Sequence, residues 1–186
     1  MKTLFIDTHL FNIDIILFDD YNVIAEAHVV DEKHNSKFLV PALKKVCDNH
    51  SYDQIIVVNG PGSFTGVRLG VTIAKTLAFT QNIPIKSISS LDLMYYSNDS
   101  KAGIYAIGDG NGSFIGEYNN ERLIKNYYYL SNQEYQHFIN NQAVTTSVTL
   151  NYECVLKKIN NVPYELPHNI NPLYVKLIGV ESDKKS

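Results

Sequence analysis

A glycine-rich segment is the part of this sequence whose residue types and spacing most directly suggest chemistry. Gly60, Gly62, Gly66 and Gly70 follow the apolar run Gln54 to Val58, where a strand is expected to turn into a helix. A turn of this kind offers free backbone N–H groups to an anion at the helix N-terminus. The segment is therefore a candidate phosphate-binding loop.

The spacing fits neither of the two common phosphate loops. The Walker pattern G-x-x-x-x-G-K-[ST] fails because Ala74 precedes Lys75-Thr76 and Leu69 stands where the first glycine is required. The first three glycines resemble a dinucleotide-binding loop. However, they do not follow the first strand, and no acidic residue lies about 20 residues further on.

Nucleophilic and metal chemistry are also poorly supported. A nucleophile elbow, G-x-S-x-G, around Ser63 would need glycine at 61 and 65, where the chain has Pro61 and Thr65. The histidines have no metal-ligand spacing among them; they are His9, His28, His34, His50, His137 and His168. Cys47 and Cys154 lie far apart, which excludes a zinc ribbon and a CxxC redox motif.

Two aspartates could instead mark a nucleotide cleft. Asp7 lies at the end of the first predicted strand, where actin-like ATPases place an acid for phosphate or metal. Asp109 opens the segment Asp109-Gly110-Asn111-Gly112, at the matching place in the second half of the chain. The alternative interpretation of that segment is a tight hairpin turn.

The elements that must position these residues follow from hydrophobic periodicity. The first half predicts strands at 3–7, 11–18 and 23–30, with one face of the second strand buried. It then predicts a helix at 35–49 with Asn35 or Ser36 as N-cap, a strand at 54–58, a helix at 65–81, a strand at 83–88 and a helix to about 96.

The second half predicts a smaller, strand-rich unit. Strands are expected at 102–108, 113–118, 122–130 and 143–148, and helices at 131–140 and 150–159. Polar residues at 98–100 suggest a boundary, which gives an N-terminal lobe at 1–98 and a shortened C-terminal lobe at 99–186. Three antiparallel strands followed by helix–strand units predict a ribonuclease H-like fold of the α/β class rather than a Rossmann sheet.

Small residues recur every four positions along the helix predicted at 65–81. Gly66, Gly70, Ala74 and Ala78 form a smooth stripe, which allows close approach of another helix. The alternative is that the stripe packs on the protein's own sheet.

Composition places the chain among globular proteins. It has 186 residues, of which 45% are hydrophobic and 19% charged, with a net charge of -3 and a pI of about 6.0. The 16 basic residues are scattered, so tight binding of nucleic acid by this chain alone is not expected. No membrane helix or signal peptide is predicted, and a cytoplasmic location is expected.

One segment resembles the signature of the TsaB (YeaZ) family, the bacterial proteins required for threonylcarbamoyladenosine formation in tRNA. It reads VVNGPGSFTGVRLGVTIAKTLAF, residues 57–79. Weaker family motifs occur in order around it, at Phe5–Thr8, His34–Pro41, Ile85–Leu91, Asp109 and Pro172–Lys176. The sequence departs from the family pattern at His9, where serine is usual, and at Asn111, which replaces an arginine.

The resemblance implies an actin-like (ASKHA, ribonuclease H-like) fold of two lobes with a short second lobe. It also implies a subunit that has no catalytic activity and supports the TsaD transferase. Such a subunit would form a heterodimer with TsaD, be joined by the ATPase TsaE, meet tRNA only through the complex, and form a homodimer when alone. The chain itself would need no cofactor, because ATP and metal belong to TsaD and TsaE.

The resemblance also assigns roles to residues. The first two helices would form the partner interface, with Leu39, Leu43, Gly66, Gly70, Ala74 and Ala78 in it. The family-motif loop would comprise Gly60, Pro61, Gly62, Ser63, Phe64, Thr65, Gly66 and Arg68. No residue is expected to be catalytic or to bind metal, and Asp7 and Asp109 would be a vestigial nucleotide cleft. The alternative function is a small actin-like ATPase or phosphotransferase that acts through these two aspartates.

Overall fold

The structure is a computed structural model that describes residues 1–30, 36–98 and 100–176. A five-stranded sheet in the order β3-β2-β1-β4-β5 forms its centre. Its strands are β1 (Lys2–Asp7), β2 (Asn12–Asp19), β3 (Asn22–Val30), β4 (Gln54–Val58) and β5 (Ile85–Ile88).

The first three strands are antiparallel neighbours, whereas β4 runs parallel to β1 and β5 parallel to β4. This mixture of a β-meander with parallel strands is the predicted ribonuclease H-like arrangement. It brings the ends of β1 and β4, which carry Asp7 and the glycine-rich loop, to the same edge of the sheet.

Helices cover both faces of this sheet. α1 (Leu39–Cys47) and α2 (Phe64–Gln81) share one hydrophobic core on one face, and α5 (Tyr152–Ile159) packs on the other. Because β2 is covered on both sides, Ile15 and Leu17 lie in one core and Ile16 and Phe18 in the other. The prediction of a half-buried second strand was therefore wrong.

The second sheet is built on β7 (Gly112–Asn119), which pairs with three strands: β6 (Ala102–Gly108), β8 (Arg122–Leu123) and β9 (Tyr128–Ser131). α3 (Ser90–Ser97) joins the two sheets, and α4 (Asn132–Ile139) begins with the predicted capping box between Ser131 and Glu134.

Two predicted strands of the second lobe were wrong in extent. The strand expected at 122–130 is divided into β8 and β9. The segment expected to be a strand at 143–148 forms only a single bridge between Thr145 and Tyr105.

Helix α1 begins later than predicted. Asn35 and His34 lie outside the described residues, Ser36–Phe38 forms a short 3-10 turn, and Phe38 precedes α1 without a side-chain cap. The lobe boundary at 98/99 stays a prediction, since residues 99 and 177–186 are also outside the described parts. Helix α5 nevertheless returns to pack on the first sheet.

Across residues 1–30, 36–98 and 100–176, no helix combines the length and the apolar character that a membrane-spanning segment needs.

Candidate functional site

The glycine-rich loop is packed tightly against the turn that follows β1. The backbone N–H of Ser63 donates to the carbonyl of His9 at 2.7 Å. A Cβ atom on Gly62 would lie 2.1 Å from that same carbonyl oxygen. Ser63 Oγ accepts from the N–H of Gly66 and caps α2. The glycines therefore allow close packing of the loop, and two of the amides expected to bind an anion already have partners.

The small-residue stripe of α2 faces the protein's own sheet. Gly66, Gly70, Ala74 and Ala78 are all buried, and a Cβ on Gly70 would lie 2.3 Å from Thr8 Oγ1. Leu39 and Leu43 of α1 are buried in the same core. The expectation that these six side chains form a contact surface for a partner is therefore corrected, because β1 and its neighbours already cover them.

The opposite sides of α1 and α2 are exposed. Phe79 is 79% exposed and Val40 is 51% exposed, although both are apolar. Lys44, Lys45 and Arg68 are exposed on the same two helices, neither of which contains an acidic residue. This surface, called here the α1–α2 surface, is thus apolar and cationic.

The signature loop and the closing motif meet in space. Arg68 Nε donates to the hydroxyl of Tyr174 at 2.6 Å, and the Arg68 guanidinium lies 3.7 Å from the centre of the Phe64 ring. The backbone N–H of Leu173 donates to the carbonyl of Asn59 at 2.8 Å. An apolar cavity of about 310 Å³ lies beside this contact, between Phe64, Val67, Phe114, Leu173 and Tyr174.

Asp7 lies at the end of β1 and forms a pair with His9. Its Oδ1 atom accepts from the backbone N–H of His9 at 3.0 Å and lies 2.6 Å from the ring Nδ1. Both residues are buried. The sequence identified His9 only as a departure from the family pattern and missed this pairing. The Asp-x-His spacing at a strand end was the available signal.

Asp14 and His28 extend this polar pair across the sheet. Asp7, Asp14 and His28 are successive partners in the register of β1, β2 and β3. Burial raises the pKa of Asp14, and its hydrogen bond to His28 works against that rise. The hydrogen bonds of His28 to Asp14 and Glu26 raise the pKa of the histidine.

Asp109 is held in a different network. It accepts from the Tyr129 hydroxyl at 2.7 Å, from the backbone N–H of Asn111 at 3.0 Å and from Lys176 Nζ at 3.3 Å. Burial acts to raise the pKa of Asp109, but these three hydrogen bonds outweigh it and leave the pKa below its usual value.

The two aspartates of the predicted nucleotide cleft do not share a cavity. Asp7 lines one that extends towards Leu93 and Val148, whereas Asp109 lines those beside the signature loop. The assignment of the two aspartates to one nucleotide cleft therefore stays a prediction. Among the described residues, no cluster of three histidine, cysteine or acidic side chains could hold a metal ion.

Comparison with known proteins bears directly on the family. Residues 29–125, just over half of the chain, match the family described as "TsaD: tRNA N6-adenosine threonylcarbamoyltransferase". The tRNA threonylcarbamoyladenosine biosynthesis protein TsaB of Bacillus subtilis (strain 168) is 42% identical over 99 residues, which are 50% of this chain and 43% of the relative. The chain belongs to the TsaB (YeaZ) family.

A second relative, the TsaB protein of Escherichia coli (strain K12), is 30% identical over 99 residues, which are 50% of this chain and 42% of the relative. The matched segment thus spans less than half the length of each of these two relatives. The segment that matches the family model, residues 29–125, includes the whole glycine-rich loop and α2.

Solved structures support the fold. YeaZ from Pseudomonas aeruginosa matches with a TM-score of 0.73 at 18% identity, covering 93% of this chain and 99% of that one. The Lmo2764 protein from Listeria monocytogenes matches with a TM-score of 0.50 at 13% identity, covering 67% of this chain and 49% of that one. The predicted actin-like fold of the α/β class is confirmed.

Proposed function

We propose that this chain is a non-catalytic subunit of the machinery that forms threonylcarbamoyladenosine at position 37 of tRNA, and that it binds and supports the TsaD transferase. The observation that carries the proposal is the match to relatives named for threonylcarbamoyladenosine biosynthesis. A role in tRNA modification follows from the family, and the partner and the mode of action are the proposed part.

The α1–α2 surface is the proposed contact with TsaD. Phe79 and Val40 expose apolar area that burial in an interface would stabilise. Lys44, Lys45 and Arg68 are exposed on the same two helices, neither of which contains an acidic residue, so an acidic surface on the partner would complement them. A second copy of the chain would occupy the same surface when TsaD is absent.

The proposed subunit has no catalytic role because its two candidate acids are engaged separately. Asp7 is bound by His9, and Asp109 by Tyr129 and Lys176. ATP and metal are therefore assigned to TsaD and to the ATPase TsaE, which would join the complex. The proposed site of action is the cytoplasm, where the tRNA substrate is found. Because the net charge of the chain is -3, we propose that it meets tRNA only through its partners.

The test is a binding titration between this chain and the TsaD protein of the same organism, with size-exclusion chromatography to follow complex formation. The variant Phe79→Glu places a charge in the proposed apolar contact and should weaken the heterodimer about tenfold or more. Ile124→Glu is the matched control, because Ile124 is also apolar and exposed but lies on the second lobe.

The proposal expects a complex with the wild-type chain, a weaker complex with Phe79→Glu, and no change with Ile124→Glu. All three proteins should melt at similar temperatures, because both substituted side chains are exposed. Absence of a complex with the wild-type chain would refute the partnership. Equal binding by Phe79→Glu would refute the assigned surface.

A further inference from the structure

The apolar cavity beside the signature loop has an open, apolar rim. Its volume is about 310 Å³, and its walls include Val67 of α2, Phe114 of β7 and Leu173 of the closing motif. Phe64 and Tyr174 also line it, yet they are 48% and 50% exposed. Apolar area exposed around a cavity in this way marks a place where another apolar group binds.

The described part of the chain ends at this cavity. Residues 173–176 are consecutive, and all four line it. Lys176 is held in place there, because its Nζ donates to the Tyr129 hydroxyl at 3.0 Å and to Asp109 at 3.3 Å. Since consecutive Cα atoms are about 3.8 Å apart, the Cα atoms of the next two residues must lie within about 8 Å of that of Lys176. The following segment therefore starts at the cavity.

The residues that follow have the chemistry that this place requires. They read Leu177-Ile178-Gly179-Val180 and lie outside the described residues. Their three side chains are apolar, and Gly179 is a residue type that allows the chain to turn. Glu181 and Asp183 come next. These acids are complementary to Arg68, which is exposed beside the cavity on a helix without acidic residues.

We infer that the segment 177–180 of this same chain occupies the cavity. The side chains of Leu177 and Ile178 would lie against Val67 and Phe114, and Glu181 would pair with Arg68. The C-terminal segment would thereby cover the signature loop, and the cavity would be closed to small molecules and to a second copy of the chain. This contact is separate from the α1–α2 surface and does not depend on the proposed function.

The first test is NMR of the full-length chain with labelled isoleucine, leucine and valine methyl groups and labelled phenylalanine rings. Nuclear Overhauser effects are expected between the methyl groups of Ile178 and those of Val67 or the ring of Phe114. In a mixture of labelled and unlabelled chains they should arise within one chain. Their absence from the wild-type chain, or their appearance only between two chains, would overturn the inference.

The second test opens the cavity by substitution. Ile178→Asp places a charge against apolar walls, so the fluorescence of the dye ANS, which binds exposed apolar surface, should rise about threefold or more. Ile124→Asp is the matched control, because Ile124 is 59% exposed and belongs to the second lobe.

The signals of Val67 and Phe114 should shift in the Ile178→Asp chain and stay unchanged in the control. Should Ile178→Asp fail to fold, the Overhauser effects in the wild-type chain decide the matter. A folded Ile178→Asp chain with the ANS fluorescence of the wild type would contradict the inference, because the cavity would then be equally accessible in both.

Discussion

Thr8 sets the distance between β1 and α2. Its hydroxyl donates to the carbonyl of Gly66 at 2.7 Å and leaves no space for a side chain on Gly70. The signature glycines are thus explained at the residue scale by contact between a strand end and a helix.

Gly70→Ala should therefore destabilise the fold. The new Cβ would lie 2.3 Å from Thr8 Oγ1, and overpacking of this kind costs about 1–3 kcal/mol. The cost should shrink when Thr8→Ala removes the hydroxyl in the same chain. Denaturant unfolding of the single and double variants measures both effects.

Gly108→Ala is the control, because its Cβ would meet only ordinary contacts at 3.7 Å and beyond. The contrary result would be a Gly70→Ala protein that is as stable as the wild type but does not bind its partner. That result would support the stripe as an interface and contradict its packing against Thr8.

Sequence alone identified the glycine stripe but could not orient it. Small residues every four positions suit contact with a sheet or with a second helix equally well, and the choice depends on where Thr8 lies in three dimensions. The pairing of Asp7 with His9 could not be predicted from the sequence, because it depends on the conformation of the turn after β1. By contrast, the capping box of Ser131 and Glu134 could be predicted, because capping depends on local spacing. The Ser63 cap of α2 was not predicted.

At the scale of elements, Lys86 attaches α5 to the first sheet. The side chain is buried without a carboxylate partner, and its Nζ donates to the carbonyls of Ile159 and Asn160 at 3.0 and 3.2 Å. These carbonyls lie at the C-terminal end of α5, where backbone acceptors lack partners inside the helix.

Lys86→Met should loosen α5 specifically. Loss of the donor removes both hydrogen bonds. The carbonyl of Ile159 still accepts from the N–H of Val162, whereas that of Asn160 loses its donor, at a cost of about 1–3 kcal/mol. Amide hydrogen exchange should accelerate in Tyr152–Ile159. Lys157→Met, which removes an exposed pair with Glu153 and a contact 5.4 Å from the centre of the Tyr21 ring, is the control and should have little effect. Unchanged exchange in the Lys86 variant would show that α5 is held by its apolar face alone.

The elements of the first lobe could be predicted because their hydrophobic periods are local. Strands β1 to β5 and helix α2 lie within about two residues of their expected bounds. The second lobe was harder. A strand forms only where a neighbour accepts its hydrogen bonds, and beside β6 only Thr145 is so placed. The apolar pattern of 143–148 carried no information about that neighbour.

At the scale of the whole molecule, tyrosines attach α3, the helix between the two sheets, to the second sheet. Tyr95 stacks on Tyr118 with ring centres 4.1 Å apart, and the hydroxyls of Tyr118 and Tyr127 donate to Asp92 at 2.7 and 2.8 Å. Burial raises the pKa of Tyr118 and Tyr127, and raises that of Tyr96 from 10.0 to about 12.

Stability should consequently fall at alkaline pH. A phenol whose pKa is raised in the folded state contributes fully below its unfolded value of 10.0, and that contribution is lost as the pH rises towards 12. The melting temperature should thus fall steeply above pH 10. Tyr96→Phe should flatten the fall; an identical profile in this variant would exclude Tyr96 as a contributor.

The assembly of the whole molecule depends on which surfaces remain free. Because the stripe is buried, the exposed residues of α1 and α2 include Phe79, Val40, Lys44, Lys45 and Arg68. The sequence assigned the small-residue stripe to a partner contact because it could not tell which side of the two helices met the sheet. That these helices contact a partner stays a prediction.

The most direct test of the central claim is the threonylcarbamoyladenosine content of tRNA, measured by mass spectrometry of nucleosides from cells depleted of this chain. The modified nucleoside should fall on depletion and return with the wild-type gene, whereas Phe79→Glu should restore less than Ile124→Glu. A content of threonylcarbamoyladenosine that stays unchanged on depletion would refute the proposed function.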